Sequence, residues 1–339
     1  MAGRAKNLLI FGLKAAVAAA LLTWLARSGN LDFGALRQML RSPTLVAMDL
    51  TVFVVATLFG TLRWRALLGL VDVRPRFGRL LQLQLSALFF NVVIPGNVGG
   101  DVVKALYVAR DAKPEARPTI LLIVFLERLL GLIGLVVLGS AVVLARGPAI
   151  WSQPLLRPLA ASVLALGFGT GVGLAVFLLV MRKAGHRIAA FTSGTSKLGK
   201  LFAQTVEALR LVSAAPGTLL RALGFSLGIH ALGIGFFTIL VRALAGHDVG
   251  FGEMSTIYPL GILTLILPIS PSGLGVGHVA FDKLFDAIGL SGGATVFNVY
   301  LLGTIVPYLA GFIPYLALKR EPLEEPKPEI AGDGADPAG

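Results

Sequence analysis

Long apolar runs dominate the chain, separated by short stretches where arginine, lysine, glycine and proline collect. Six runs are long enough to cross a bilayer core as helices at about 1.5 Å per residue. They are residues 7–26, 44–62, 119–145, 159–181, 219–244 and 294–318. Two further apolar regions, 80–110 and 253–289, are interrupted in their middles. Ile94-Pro95-Gly96-Asn97-Val98-Gly99-Gly100-Asp101 breaks the first, and Leu267-Pro268-Ile269-Ser270-Pro271-Ser272-Gly273-Leu274-Gly275-Val276-Gly277-His278 breaks the second. Each cluster leaves arms of roughly ten to sixteen residues, too short for easy independent spanning. A Pro/Gly break exposes backbone groups that hydrocarbon cannot satisfy, so it is tolerated only against protein or a wet cavity. The pattern predicts an all-α polytopic membrane protein with six transmembrane helices and two re-entrant helical hairpins. A matching pair of broken elements, one in each half, is what a transporter with its substrate site between them would carry.

Charge orients this arrangement. With the N-terminus inside and both hairpins returning to the face they started from, the inner segments collect 20 bases and the outer segments seven. If the first hairpin crossed fully, the basic stretch 182–221 would move outside, against the positive-inside bias. The order is then two spans, a hairpin from the cytoplasm and a span, repeated upside down. The inverted halves are about 7–146 and 158–318 within a membrane domain of residues 1–320. Both termini are expected on the cytoplasmic side of the inner membrane.

At 339 residues, 55% hydrophobic and 14% charged, with a mean hydropathy of +0.82, the chain is no soluble domain. It has no cysteine, which excludes disulfides and a thiol nucleophile. The run 7–26 follows Arg4 and Lys6 as a signal peptide would, but it has the length of a full span and no clean small-residue cleavage site. It is expected to be retained. Residues 321–339 hold six acids and one base and read as a disordered acidic tail. Residues 1–320 therefore carry 29 bases against 12 acids. Those bases cluster in loops between spans, which fits topology and anionic lipid head groups, not nucleic acid.

The candidate chemistry lies at membrane depth. Asn91, Asn97, Asp101 and Lys104 put amides and both charge signs in the first hairpin, and helix N-termini after Gly99-Gly100 and after Gly275 would aim N–H groups at an anion. A phosphate or carboxylate head group is the natural guest. Asp101 and Lys104, three apart, can also simply pair with each other. Glu127 and Arg128 lie roughly 12 to 14 Å into their span, where ionisable groups are costly and default to a functional reading; a structural ion pair with Asp101 or Lys104 is the competing account. Arg63-Trp64-Arg65 ends the second span and reads as an interface anchor or as a clamp on lipid phosphate. Lys14 and Asp49 lie nearer the interfaces. Ser272 and Gly273 of the second cluster, with Tyr258, Asn298, Tyr300 and Tyr308, are candidates to line a cavity from the second half.

Other signatures fail. Gly194 to Leu201 approximates a phosphate-binding loop but ends in Leu where Ser or Thr must reach magnesium. Gly167, Gly169, Gly171 and Gly173 lie in an apolar span and read as helix packing. His186, His230, His247 and His278 have no metal-ligand spacing, so no metal or cofactor is implied.

These segments resemble the membrane domain of the lysylphosphatidylglycerol synthase family, a flippase-like group. The likeness rests on Arg63-Trp64-Arg65, on Asn91 with Ile94 to Asp101, on Glu127-Arg128 and on residues 268–277. It covers roughly residues 7–318. In two-part members such a domain moves an aminoacylated phospholipid between leaflets while a soluble domain makes it. Nothing after Arg320 resembles that soluble domain, so the resemblance implies translocation without aminoacyl transfer. The expected function is a lipid flippase for a phosphatidylglycerol-like or polyprenyl-phosphate-linked lipid. In it Arg128 and Lys104 bind phosphate, Glu127 and Asp101 balance charge or contact a cationic head group, and Asn91 and Asn97 donate hydrogen bonds, with Arg63, Arg65, Ser272, Gly273 and Asn298 as further contacts. A membrane-embedded enzyme using Glu127 as general base and a non-transporting scaffold are the alternatives. A second copy of the chain and a separate lipid-modifying enzyme are the protein partners left open.

Overall fold

A computed structural model describes residues 33–94, 99–112, 116–192, 197–265 and 275–318. The first expected span, the acidic tail and the tips of both Pro/Gly clusters, including Asn97, Ser272 and Gly273, lie outside the described residues. Among those described, the regular structure is all helical. The helices are α1 (Phe33–Leu40), α2 (Pro43–Leu68), α3 (Phe77–Val93), α4 (Gly99–Asp111), α5 (Arg117–Ala145), α6 (Gly147–Trp151), α7 (Arg157–Thr192), α8 (Lys197–Ser213), α9 (Pro216–Leu240), α10 (Phe251–Thr264), α11 (Val276–Asp286), α12 (Gly293–Leu309) and α13 (Phe312–Leu316). Among the described residues, five stretches are long and apolar enough to cross a membrane: Pro43–Val71, Arg117–Ala145, Arg157–Gly185, Pro216–Ala245 and Gly293–Leu316. Each coincides with an expected span.

Local chemistry sets these elements. Proline occupies the first turn of α2, α5, α6 and α9, where its missing N–H costs nothing and its fixed φ suits the helix. At α2 the Ser42 hydroxyl also accepts the Leu45 N–H at 3.4 Å. The basic segment 182–221, expected only as a cytoplasmic connection, is largely helical: α7 runs on to Thr192 and α8 follows. Val206 and Val212 of α8 are buried and Leu209 is partly buried, a helical stripe that packs this basic helix onto the bundle. Of the run Gly167, Gly169, Gly171 and Gly173 in α7, only Gly167 packs closely, against Ser140; the other three face open space, so helix packing explains one position and not the run.

Both broken regions fold back on themselves. At the tip of α3–α4, the Asn91 side chain accepts the Gly100 N–H at 2.9 Å, and a Cβ at Gly100 would collide with the Ala87 carbonyl. At the base, Arg79 Nη2 meets Asp111 Oδ2 at 3.0 Å, both nearly fully buried. The two arms are therefore antiparallel along their whole length. In α10–α11, a Cβ at Gly277 would press on Leu265 and one at Gly261 on Phe281, again an antiparallel register. Gly275 opens α11 at φ +81°, a conformation that favours glycine. Gly100→Val is expected to cost about 1–3 kcal/mol by forcing the first hairpin open. Thermal unfolding in detergent should show it, with Gly69→Ala unaffected because nothing lies within 4 Å of a Cβ there.

Two large apolar cores hold most of the bundle among the described residues. One gathers the end of α2, the start of α3, the end of α4 and the start of α5 around Trp64, Leu80, Val108 and Ile120, with Val212 and Ala222. The other gathers Leu45, Phe237, Ile257, Phe281 and Phe297. The hairpin α3–α4 thus has its base in the first core, whereas α10–α11 belongs to the second. Along α5 the boundary falls between Ile133 and Leu135.

Candidate functional site

Five charged side chains from three helices form one alternating chain. Glu127 of α5 accepts from Arg63 Nη2 of α2 at 3.0 Å through one oxygen and from Lys104 Nζ of α4 through the other. Lys104 also lies 3.4 Å from Asp101 Oδ1, and Asp101 Oδ2 meets Arg128 Nη1 at 2.8 Å. Arg63 donates in addition to Ser226 Oγ at 2.8 Å, and Lys104 Nζ sits 5.0 Å from the centroid of Trp64. Side-chain exposure rises along the cations, from 4% at Lys104 through 12% at Arg63 to 27% at Arg128. Arg128 is thus the cation best presented to a guest.

The network borders a cavity of about 410 Å³ between the two cores. Its wall follows one face of α2: Asp49, Val52, Phe53, Ala56, Thr57, Gly60 and Arg63 recur at helical spacing. Fourteen residues separate Asp49 from Arg63, so the cavity extends roughly 21 Å along the helix axis. Gln84 and Asn91 of α3, His230 of α9, Tyr258 of α10, and Tyr300 and Tyr308 of α12 line it too. Tyr258 and Tyr300 share a hydrogen bond of 2.6 Å, and His230 Nε2 donates to the Gly131 carbonyl at 2.8 Å. Arg63 Nε and Gln84 Oε1 are buried without a hydrogen bond among the described residues, polar capacity that a guest in this cavity would use. No group of His, Asp and Glu there could hold a metal ion, among the described residues.

Six of the expected site residues converge here: Arg63, Asn91, Asp101, Lys104, Glu127 and Arg128. Two do not. Arg65 is exposed, since two residues beyond Arg63 is about 200° around the helix. Asn298 is buried away from the cavity beside His278, whose Nε2 lies 3.3 Å from its Oδ1 while Nδ1 accepts the Gly275 N–H. The interface-anchor reading fails for two of its three residues: Trp64 is fully buried and Arg63 points into the ion network. Pairing of Asp101 with Lys104, of Lys104 with Glu127 and of Asp101 with Arg128 is observed, as the competing structural account had it. Asp49 is the residue that sequence reasoning undervalued. It borders the cavity with both carboxylate oxygens against Gly303 of α12, where a Cβ would stand 2.8 Å from Oδ1.

Comparison with known proteins agrees with this architecture. The chain is 25% identical over 291 residues to a UPF0104 membrane protein of Methanothermobacter thermautotrophicus, covering 79% of this chain and 81% of that one. The profile of the lysylphosphatidylglycerol synthase TM region matches residues 11–314. That span takes in all of the ion network, both broken hairpins and the five long apolar stretches but for the last two residues of the fifth, and the chain is a multi-pass membrane protein that belongs to the lysylphosphatidylglycerol synthase TM region family.

Proposed function

We propose that this protein is a lipid flippase that moves a phosphate-bearing lipid between leaflets of the cytoplasmic membrane. The observation that carries the reading is the interior cavity of about 410 Å³ bordered by Arg63, Lys104 and Arg128. Its size suits a small polar head group, and guanidinium groups in a low-dielectric site are well matched to phosphate. An apolar trough of about 720 Å³ runs between α2 and α9 and shares Val52 and Phe236 with the cavity. The head group would occupy the polar space while its chains lie along this trough, continuous with the bilayer. Phosphatidylglycerol-like and polyprenyl-phosphate-linked lipids both satisfy that geometry.

The membrane arrangement that suits this role has the six spans and the two hairpins re-entrant from opposite faces, in inverted halves 7–146 and 158–318. Both termini lie inside. The 20-to-7 split of bases supports it, as does the location of the two hairpins in different cores. Ala116→Cys, in this cysteine-free chain, should react with a membrane-impermeant thiol reagent from the cytoplasmic side. Labelling from outside alone would overturn the topology.

An enzymatic role for Glu127 is disfavoured because both carboxylate oxygens are engaged by cations, leaving neither directed at a water or hydroxyl. Mass spectrometry of lipid retained through mild purification tests the transport reading directly: an intact phosphate lipid is expected, and a cleaved product would favour the enzyme. In proteoliposomes, movement between leaflets should proceed without ATP, because the one phosphate-loop-like stretch lacks its Ser or Thr. Strict ATP dependence would refute that.

A further inference from the structure

The five-membered ion chain does not contain every carboxylate of the cavity. Asp49 stands apart, about 21 Å along α2 from Arg63, and makes no hydrogen bond or ion pair among the described residues. It is flanked by apolar Met48 and Leu50 on a helix long and apolar enough to span a membrane. An intramembrane carboxylate without a partner is costly when ionised and is readily relieved by taking up a proton.

Of the helices packed against α2, α12 brings Tyr300 and Tyr308, α9 brings His230, and α5 brings Glu127 and Arg128. The cavity-lining side chains of α3, Gln84 and Asn91, do not titrate, and Arg37 of α1 and the neighbouring Arg41 are exposed. Asp101 and Lys104 of α4, Tyr258 of α10 and Arg63 of α2 itself complete the ionisable border. The ion chain Arg63–Glu127–Lys104–Asp101–Arg128 carries one net positive charge, which a phosphate monoanion neutralises. Asp49 then stands as an uncompensated negative charge at the far end of the same passage, where it repels a phosphate moving along α2. The Tyr258–Tyr300 pair lies at that end of the cavity as well. Within it only one hydroxyl can donate to the other, so one O–H is left for a third acceptor.

We propose that Asp49 is a proton-binding site whose protonation lets the phosphate pass, so that one proton travels with each anionic lipid. Resting on the flippase reading, this adds an energy source: cargo and proton together carry no charge, and the process responds to a pH gradient and not to membrane potential.

Proteoliposomes holding the purified full chain and fluorescent phosphatidylglycerol test it. Leaflet distribution is read by dithionite quenching and lumenal pH by a trapped dye. One-for-one coupling gives a steady-state leaflet ratio of about tenfold per unit of pH gradient, one proton entering per lipid. A potential imposed with valinomycin should leave the ratio unchanged. Asp49→Asn, nearly isosteric, should bring the ratio back to one. An unaltered tenfold ratio in Asp49→Asn, or wild-type lipid movement indifferent to the pH gradient, overturns the proposal. Should Asp49→Asn fail to fold, the wild-type proton-to-lipid stoichiometry still decides, because zero protons per lipid is incompatible with it. If no phosphate lipid moves in the wild type at all, the flippase reading itself fails.

Discussion

Glu127→Ala is expected to cost about 3–5 kcal/mol of stability, the largest loss of any single substitution in the ion network, because it strips the carboxylate that bridges buried Lys104 and largely buried Arg63. Lys104 would keep just its 3.4 Å contact with Asp101, and Arg63 would keep Ser226. Lys104, 4% exposed and set against Trp64, would be left as a nearly fully buried charge, and Arg63, 12% exposed, would lose its one carboxylate partner among the described residues. An exposed pair would behave differently, with a loss of 0–1 kcal/mol. The double substitution Glu127→Ala with Lys104→Met removes one of the stranded charges and should recover most of the loss, a non-additivity typical of contacting residues. Thermal unfolding of the purified protein in detergent reads both. A Glu127→Ala protein that melts with the wild type would mean that the network is solvated, and the charge-based reading of the cavity would fall with it.

The spans were legible because length and apolarity are properties of a single stretch of chain. Their limits were less so, and Arg63 shows why. A charge after an apolar run looks like the water interface, yet α2 continues to Leu68 because the charge of Arg63 is met inside the bundle by Glu127, 64 positions later. The hairpins were signalled by Pro/Gly clusters that cannot continue a helix. Residues on their arms, Asn91, Asp101 and Lys104, accordingly converge with Glu127 and Arg128. Asp49 was set down as an interfacial residue for the converse reason: it stands only six residues into its helix, and its place on the cavity depends on Gly303 from the far end of the chain. A local signal did exist. Gly131 gives room to the Arg63 guanidinium, Gly233 to the Tyr258 hydroxyl and Gly303 to Asp49, so glycines inside apolar helices marked where polar side chains of neighbours would lodge. Spacing alone could not say which neighbours those were. The helix α8 was hidden by its bases, since its apolar stripe of Val206, Leu209 and Val212 is narrow beside the surrounding charge.

Arg128→Ala should give the opposite phenotype to Glu127→Ala, a folded protein that no longer moves lipid. Arg128 is the most exposed cation of the network, and its partner Asp101 retains Lys104 at 3.4 Å when the guanidinium is gone. Little buried charge is stranded, so the melting temperature should change modestly. Transport should fall roughly ten- to a hundredfold, the effect of losing charge-assisted hydrogen bonds of about 1.5–3 kcal/mol to a phosphate. Arg128→Lys separates charge from shape: it preserves the attraction to an anion but not the planar fork, and intermediate transport is expected if the phosphate is held by two parallel hydrogen bonds. A purely structural role predicts instead that Arg128→Ala aggregates or melts early, and that Arg128→Lys behaves as wild type. Monodispersity and unfolding temperature must therefore be measured beside leaflet exchange of a phosphate lipid. A well-folded Arg128→Ala protein exchanging lipid at the wild-type rate would move the anion site away from this residue, toward Lys104 or toward Arg63 with its unengaged Nε.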